Sequence, residues 1–213
     1  MDPLNGTRHR LWRLRPGIPR EGSRHARKPI IAATLIVCVA FSMSPAGWAQ
    51  SNPRGEYDLK AAFLFNFAKF IDWPAGSFTS PQSPFTICVL GRDPFGRVLD
   101  DNLQGKMIRD QPLAVRRLKD RTEARRCQVV FVSSSENAHL AEILESVRGA
   151  NVLLVGDTIG FAAAGGTIEL TLEDNRVRFT INTDAAGRTG LTFSSKLLAL
   201  AKLVRDAEHS KGG

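Results

Sequence analysis

The stretch from Tyr57 to Pro74, Y-D-L-K-A-A-F-L-F-N-F-A-K-F-I-D-W-P, restricts what this chain can fold into more than any other. Leu59, Ala62, Phe63, Phe67 and Phe70 recur at helical spacing, while Ala61, Leu64, Phe65, Ala68 and Ile71 fill a second stripe. The periodicity therefore predicts a helix that is apolar over most of its circumference and needs cover on two sides. A sheet is expected on one side; a further helix, a sister subunit or a partner protein is expected on the other. The stripe of Phe63, Phe67 and Phe70 is assigned to the core, and Leu64, Phe65, Ala68 and Ile71 to a partner or dimer surface. Asn66 reads as a buried amide bonded to backbone rather than as a contact residue. Asp58 suits the first turn of the helix, and Pro74 ends it by disfavouring the α conformation at Trp73.

The residues ahead of this helix read as an export signal and not as fold. Seven arginines between Arg8 and Arg27, with Lys28, form a basic region; Ile30 to Met43 is a short apolar run; and Ser44 to Ala49 ends in small residues. Cleavage is expected after Ala49, giving residues 1–49 as signal peptide and 50–213 as one domain with its core at 57–205. The apolar run is shorter than the roughly 20 residues of a membrane anchor, so no membrane insertion is expected after cleavage. No Arg-Arg pair directs twin-arginine export, and Cys38 is preceded by Val37 where a lipoprotein signal has a small residue. The whole chain has 29 basic and 21 acidic residues, a net charge of +8, but residues 1–49 hold eight of the basic and two of the acidic ones. The mature chain is thus close to neutral, at +2. A basic pI would otherwise suggest nucleic acid as a partner; here most of the excess is export signal, and no nucleic-acid binding is expected.

Along the mature chain, Pro84-Phe-Thr-Ile-Cys-Val-Leu-Gly91 and Gln128-Val-Val-Phe-Val132 read as buried strands, with Pro112–Leu118 near an edge and Asn151–Val155 as a further strand. Asp93 and Pro94 have the form of a helix start. Ser133-Ser134-Ser135-Glu136 has the form of a capping box ahead of Leu140, Ile143, Leu144 and Val147. Beyond Val155, Ile168–Leu172 and Val177–Ile181 alternate around Glu173-Asp174-Asn175, a hairpin signal. Ser194 to Val204 reads as a last helix. The expected fold is α/β: a largely parallel β-sheet flanked by helices, with a C-terminal antiparallel hairpin.

Few residues offer chemistry. Cys88 and Cys127 survive export and lie at strands expected to be neighbours, so in an oxidising compartment a disulfide is expected, against the alternative of two buried thiols on different faces. His139 and His209 stand in no metal spacing and beside no nucleophile motif; there is no G-x-S-x-G, no Walker loop and no C-x-x-C. No enzyme, metal or cofactor is expected. Ligands of parallel sheets sit beyond the carboxyl ends of strands, which makes Arg92, Asp93, Ser133, Ser134 and Asp157 the candidate ligand-binding residues, with helix capping as the competing explanation of each.

K-A-A-F-L-F-N-F-A-K-F-I-D-W-P, C-V-L-G-R-D-P-F-G at 88–96, R-V-R-F-T-I-N-T-D-A-A and G-L-T-F-S-S-K-L-L occur here in that order. In these motifs the chain, from about Tyr57 to Arg205, resembles the YfiR-like family of small periplasmic proteins. The spacing of Cys88 and Cys127 is similar to that of a cysteine pair in the family. A second pair has no counterpart in Phe161-Ala162-Ala163-Ala164 and onward, which puts a redox-sensing role in doubt. The resemblance implies a non-enzymatic periplasmic regulator that inhibits an inner-membrane diguanylate cyclase and so controls cyclic-di-GMP signalling; a homodimer is expected from the apolar surface of the Tyr57–Trp73 helix that needs cover. The alternative is a periplasmic small-ligand-binding module that serves a sensor kinase or transporter.

Overall fold

The computed structural model describes residues 53–80 and 82–207; the segment read as an export signal, with its cleavage site after Ala49, lies outside the described residues. In chain order the elements are α1 (Pro53–Phe70), β1 (Ile71–Asp72), β2 (Phe85–Leu90), α2 (Arg97–Leu103), β3 (Met107–Ile108), β4 (Gln111–Leu118), β5 (Val129–Val132), α3 (Leu140–Ser146), β6 (Leu153–Gly156), β7 (Ile168–Glu173), β8 (Arg176–Asn182), α4 (Thr183–Arg188), β9 (Thr192–Phe193), α5 (Ser195–Leu200) and β10 (Lys202–Val204). Eight strands form one sheet in the order β10-β8-β7-β6-β5-β2-β4-β3. The pairs from β7 through β6, β5 and β2 to β4 are parallel, as is β10 with β8. The hairpins β7–β8 and β3–β4 are antiparallel. The fold is therefore α/β, with a mixed, mostly parallel sheet flanked by helices.

Alternation along the central strands builds two cores, one on each face. Phe85, Ile87 and Val89 of β2, Val129 and Phe131 of β5, and Leu153 and Val155 of β6 join Leu64, Phe67 and Ala68 of α1 and Leu99 and Leu103 of α2. Cys88, Leu90, Val130, Val132 and Leu154 point the other way, onto Ile143 and Val147 at α3. Strands buried on both faces read as continuous apolar runs, which is why these three were visible as strands.

Short elements depart from the sequence reading, each for a local reason. The first helix starts at Pro53 and stops at Phe70, and Ile71–Asp72 pairs antiparallel with Thr192–Phe193. The extended bias that Pro74 imposes falls on Trp73, the residue next to that strand pair. Asp93 does not open α2: its carboxylate accepts from the N–H groups of Phe95 (2.8 Å) and Gly96 (3.3 Å) and fixes a turn ahead of it. Ser133 to Glu136 does not form the expected box. Ser133 makes no side-chain capping bond, Ser135 Oγ accepts from the N–H of Arg92, Glu136 faces Arg121, and a 3-10 turn over Ser134–His139 precedes α3. The final helix ends at Leu200, and Lys202–Val204 extends into β10. The hairpin turn at Asp174–Asn175 has φ of 48° and 59°, a left-handed pair that Asp and Asn tolerate.

Candidate functional site

Burial sorts the two stripes of α1 differently from the sequence expectation. Leu64, Ala68 and Ile71, assigned to a partner surface, are fully buried in the core beneath α1. Phe65 is half-buried with the Lys106 ammonium 4.5 Å from its ring centroid. Phe67 of the other stripe is buried, and Phe63 packs part-buried on Phe179 of β8 at 5.7 Å between centroids. Leu59 and Phe70, however, are 46% and 41% exposed, and Ala62, Asn66 and Lys69 are exposed with them. Asn66 is thus not a buried amide. The outward face runs through Leu59, Ala62, Asn66 and Phe70. Both stripes have enough apolar surface for a core, so hydrophobicity alone could not rank them.

A buried ionic cluster decides the rotation. Lys60 falls on the inward face and is 3% exposed; its ammonium lies 2.5 Å from Glu56 and 2.7 Å from Asp157 at the end of β6. The Tyr57 hydroxyl donates to the same Asp157 carboxylate at 2.9 Å. The Tyr57 ring stacks edge-on against Phe95 at 5.2 Å. Burial, then the adjacent Asp157 carboxylate, pushes the Tyr57 hydroxyl well above the ordinary tyrosine range. Stranding Lys60 in apolar surroundings would cost several kcal/mol, so any rotation of α1 that parts it from Asp157 is penalised. The i,i+4 spacing of Glu56 and Lys60 was readable in sequence; the 97-residue separation of Lys60 and Asp157 was not.

The adjacent parallel strands β2, β5 and β6 bring their carboxyl-end loops together, as the ligand reading requires. The side chains there are engaged with one another. Asp93 holds its turn and accepts from Arg117 Nε at 3.0 Å, Asp157 holds Lys60 and Tyr57, and Ser133 is buried. Ser134 and the Arg92 side chain are exposed, the latter without an ion-pair partner among the described residues. Between the ends of β2 and β5, Gly91 has φ +89°, and a Cβ there would lie 2.5 Å from Ser135 Oγ and 2.7 Å from Glu136 Cγ. That crevice is filled. Beside it, a cleft of about 820 Å³ lined by Gly91, Leu118, Lys119, Thr122 and Ser146 is crossed by Arg121, which pairs with Glu136 and Glu142. A second groove of about 840 Å³ lies between α3 and α4, lined by Leu144, Val147, Val152 and Leu154.

Cys88 on β2 and Cys127, two residues before β5, form a disulfide with 6.1 Å between Cα atoms, inside the core that faces α3. It joins two strands already paired in the sheet. No group of three or more His, Cys, Asp or Glu among the described residues is placed to hold a metal ion, and no described helix is long and apolar enough to cross a membrane.

The disulfide between neighbouring strands and the Phe-rich helix laid over a mostly parallel sheet agree with the motif resemblance, and a family profile confirms it. The DUF4154 profile, described as YfiR/HmsC-like, matches residues 57–202. The chain belongs to the YfiR/HmsC-like family. The family match covers every strand that builds the two cores. No curated protein matches the chain. Among solved structures, a conserved domain protein from Vibrio cholerae O1 biovar eltor aligns with TM-score 0.48 and 10% identity over 69% of this chain and 59% of that one. An ABC domain in complex with L-Trp from Streptococcus pneumonia aligns with TM-score 0.46 and 8% identity over 70% of this chain and 60% of that one. The chain spans about three-fifths of the length of each of these two structures.

Proposed function

We propose that this protein is a periplasmic, non-enzymatic regulator that inhibits an inner-membrane diguanylate cyclase by binding it and so lowers cyclic-di-GMP production. The observation that carries the reading is membership of the YfiR/HmsC-like family over residues 57–202. Two features of the chain support it. The succession of basic, apolar and small residues up to Ala49 suits export. Leu59, Phe70, Leu200 and Leu203 are large apolar side chains left exposed, the kind of surface a partner covers. The contact surface is therefore moved from the buried Leu64, Ala68 and Ile71 to the outer flank of α1, the end of α5 and β10. A homodimer remains part of the proposal.

Physically, such a protein biases one state of a bistable membrane partner, and a signal acts by changing its affinity for that state relative to the other. The ligand-module reading draws less support, because the crevice between β2 and β5 is filled and the carboxylates of Asp93 and Asp157 are committed to structure. The test is cyclic-di-GMP in cells that carry the cognate cyclase. Deleting the gene should raise it, and complementation with Leu59→Glu should restore repression less well than wild type does. No rise on deletion would refute the regulator reading.

A further inference from the structure

Strand β10 is the outermost strand of the sheet, and no described strand pairs with its outer side. An unpaired edge is a template for another strand. Leu203 stands opposite Ile181 and Lys202 opposite Thr180 of β8. Residues in register share a face, so Leu203 lies on the face that α1 covers, with Ile181, and Lys202 on the other. Leu203 is 51% exposed and Leu200, just ahead of β10, is 77% exposed. On α1, Phe63 leans on β8, and Leu59 lies one turn earlier on that flank and is also exposed.

The opposite face at this edge is cationic. Arg176 and Arg178 alternate with Val177 and Phe179 along β8 and so project on the same side as Lys202. All three are exposed, and none forms an ion pair among the described residues. The nearby acids are Glu173, in register with Arg176, Asp174 in the hairpin turn, and Glu169, in register with Thr180 beside Lys202 but buried and accepting from the N–H of Ala162 at 3.0 Å.

We infer that the outer edge of β10 takes up an extended segment of a partner protein whose side chains alternate between apolar and acidic, the apolar ones against Leu59, Leu200 and Leu203 and the acidic ones against Arg176, Arg178 and Lys202. Main-chain bonds to the edge supply affinity, and the alternating side chains supply specificity. Charge selects this occupant over a second copy. Two β10 edges brought together would set Lys202 and Arg205 of one copy near those of the other, and a three-residue strand offers few backbone bonds to offset the repulsion. The inference deepens the proposed function and rests on that reading only for who the partner is.

The probe is a fluorescent nonapeptide that alternates valine with glutamate, compared by anisotropy with one that alternates valine with lysine, on the purified mature protein. The wild type should bind the glutamate peptide about tenfold more tightly, with the preference shrinking as salt is raised. The double variant Arg178→Glu/Lys202→Glu, checked for folding by circular dichroism and thermal melting, should reverse the order. Equal affinities, no saturable binding, or a preference that survives the reversal overturns the inference. A concentration-dependent dimer that the double variant abolishes also overturns it, by giving the edge to a second copy. Cyclic-di-GMP plays no part in this assay, so its failure leaves the regulator reading standing; a deletion strain with unchanged cyclic-di-GMP removes that reading and leaves the peptide result intact.

Discussion

Replacing Lys60 with methionine tests how α1 is held on the sheet. Methionine keeps the length and the apolar stem of lysine, so the change removes little more than the charge and its hydrogen bonds. Lys60 is 3% exposed, Asp157 keeps only 8% of its side-chain surface, and Glu56 is partly open at 22%. Without the ammonium, two carboxylates face each other with only the Tyr57 hydroxyl left to donate to Asp157. Breaking a buried pair from one side costs about 3–5 kcal/mol, and the partial exposure of Glu56 argues for the lower end. For a domain of this size that corresponds to a melting temperature lower by roughly 6–15 °C. Urea melts should show a reduced midpoint with an unchanged slope. The double variant Lys60→Met/Asp157→Leu, which removes charge from both sides, should recover a large part of the loss. A Lys60→Met protein within about 1 kcal/mol of wild type would show that the pair is as weak as a solvated one and that packing alone sets the rotation of α1.

Two further predictions follow from the same geometry. Cys88 and Cys127 close a loop with a sequence separation of 39, worth up to roughly 4 kcal/mol in the chain-entropy model. Denatured, unreduced mature protein, from which Cys38 has been removed with the signal, should therefore contain no free thiol, and the double Cys→Ala variant should melt well below wild type; two titratable thiols or an unchanged melt would contradict this. Hydrogen bonds from the Arg117 guanidinium hold the Asp100 carboxyl below the usual carboxylate range. A depressed folded pKa stabilises the protein above the unfolded value near about 4 and loses that contribution as pH falls through the folded value. Arg117→Met should thus be less stable than wild type at neutral pH, with the two curves converging in acid; a gap that is constant with pH would refute the assignment.

How far the sequence reached depended on the length over which each pattern is written. β2, β5 and β6 are continuous apolar runs buried on both faces, and the β7–β8 hairpin has strict alternation around an Asp-Asn turn. Those signals are local and long enough to read. β1, β9 and β10 have two or three residues each and show no periodicity of their own. Ser194 to Val204 keeps a helix-like spacing of leucines to its end, yet Ala201 is already extended at ψ 150° and the chain pairs with β8. The misplaced surface on α1 has another cause: Leu64, Ala68 and Ile71 are as apolar as Phe63, Phe67 and Phe70. What separates the stripes is a partner about a hundred residues away, Asp157, reached by Lys60, the one buried lysine among the described residues. A charged residue inside an apolar stripe was the available signal. The loops that carry the candidate ligand residues end adjacent strands, but the turn ahead of α2 claims Asp93 and an ion pair claims Asp157.

The two edges of the sheet differ in a way that bears on function. At the β3 edge the strand has two residues, Pro112 stands opposite Met107, and the hairpin turns through Arg109 and Asp110, both with left-handed φ. Arg109 reaches back to Asp72 and donates to the Trp73 carbonyl at 3.4 Å, tying that hairpin to the end of α1. Proline, a short strand and a tight turn are the usual defences of an edge. β10 has neither the proline nor the left-handed turn, and its middle residue is an exposed leucine. The β3 edge also carries an exposed apolar side chain, Met107 at 56%, so what sets the β10 edge apart is the absence of a proline and a tight turn beside Leu203, and the cationic face next to it. Lys60 gives the arrangement a fixed geometry: by holding the start of α1 against the end of β6 it fixes where Leu59 stands over the sheet before any partner arrives. A preformed surface loses less freedom on binding than one ordered by it. Lys60→Met should therefore weaken capture of the glutamate peptide even at temperatures where the variant is fully folded, an effect that a purely stabilising role for the ion pair would not produce.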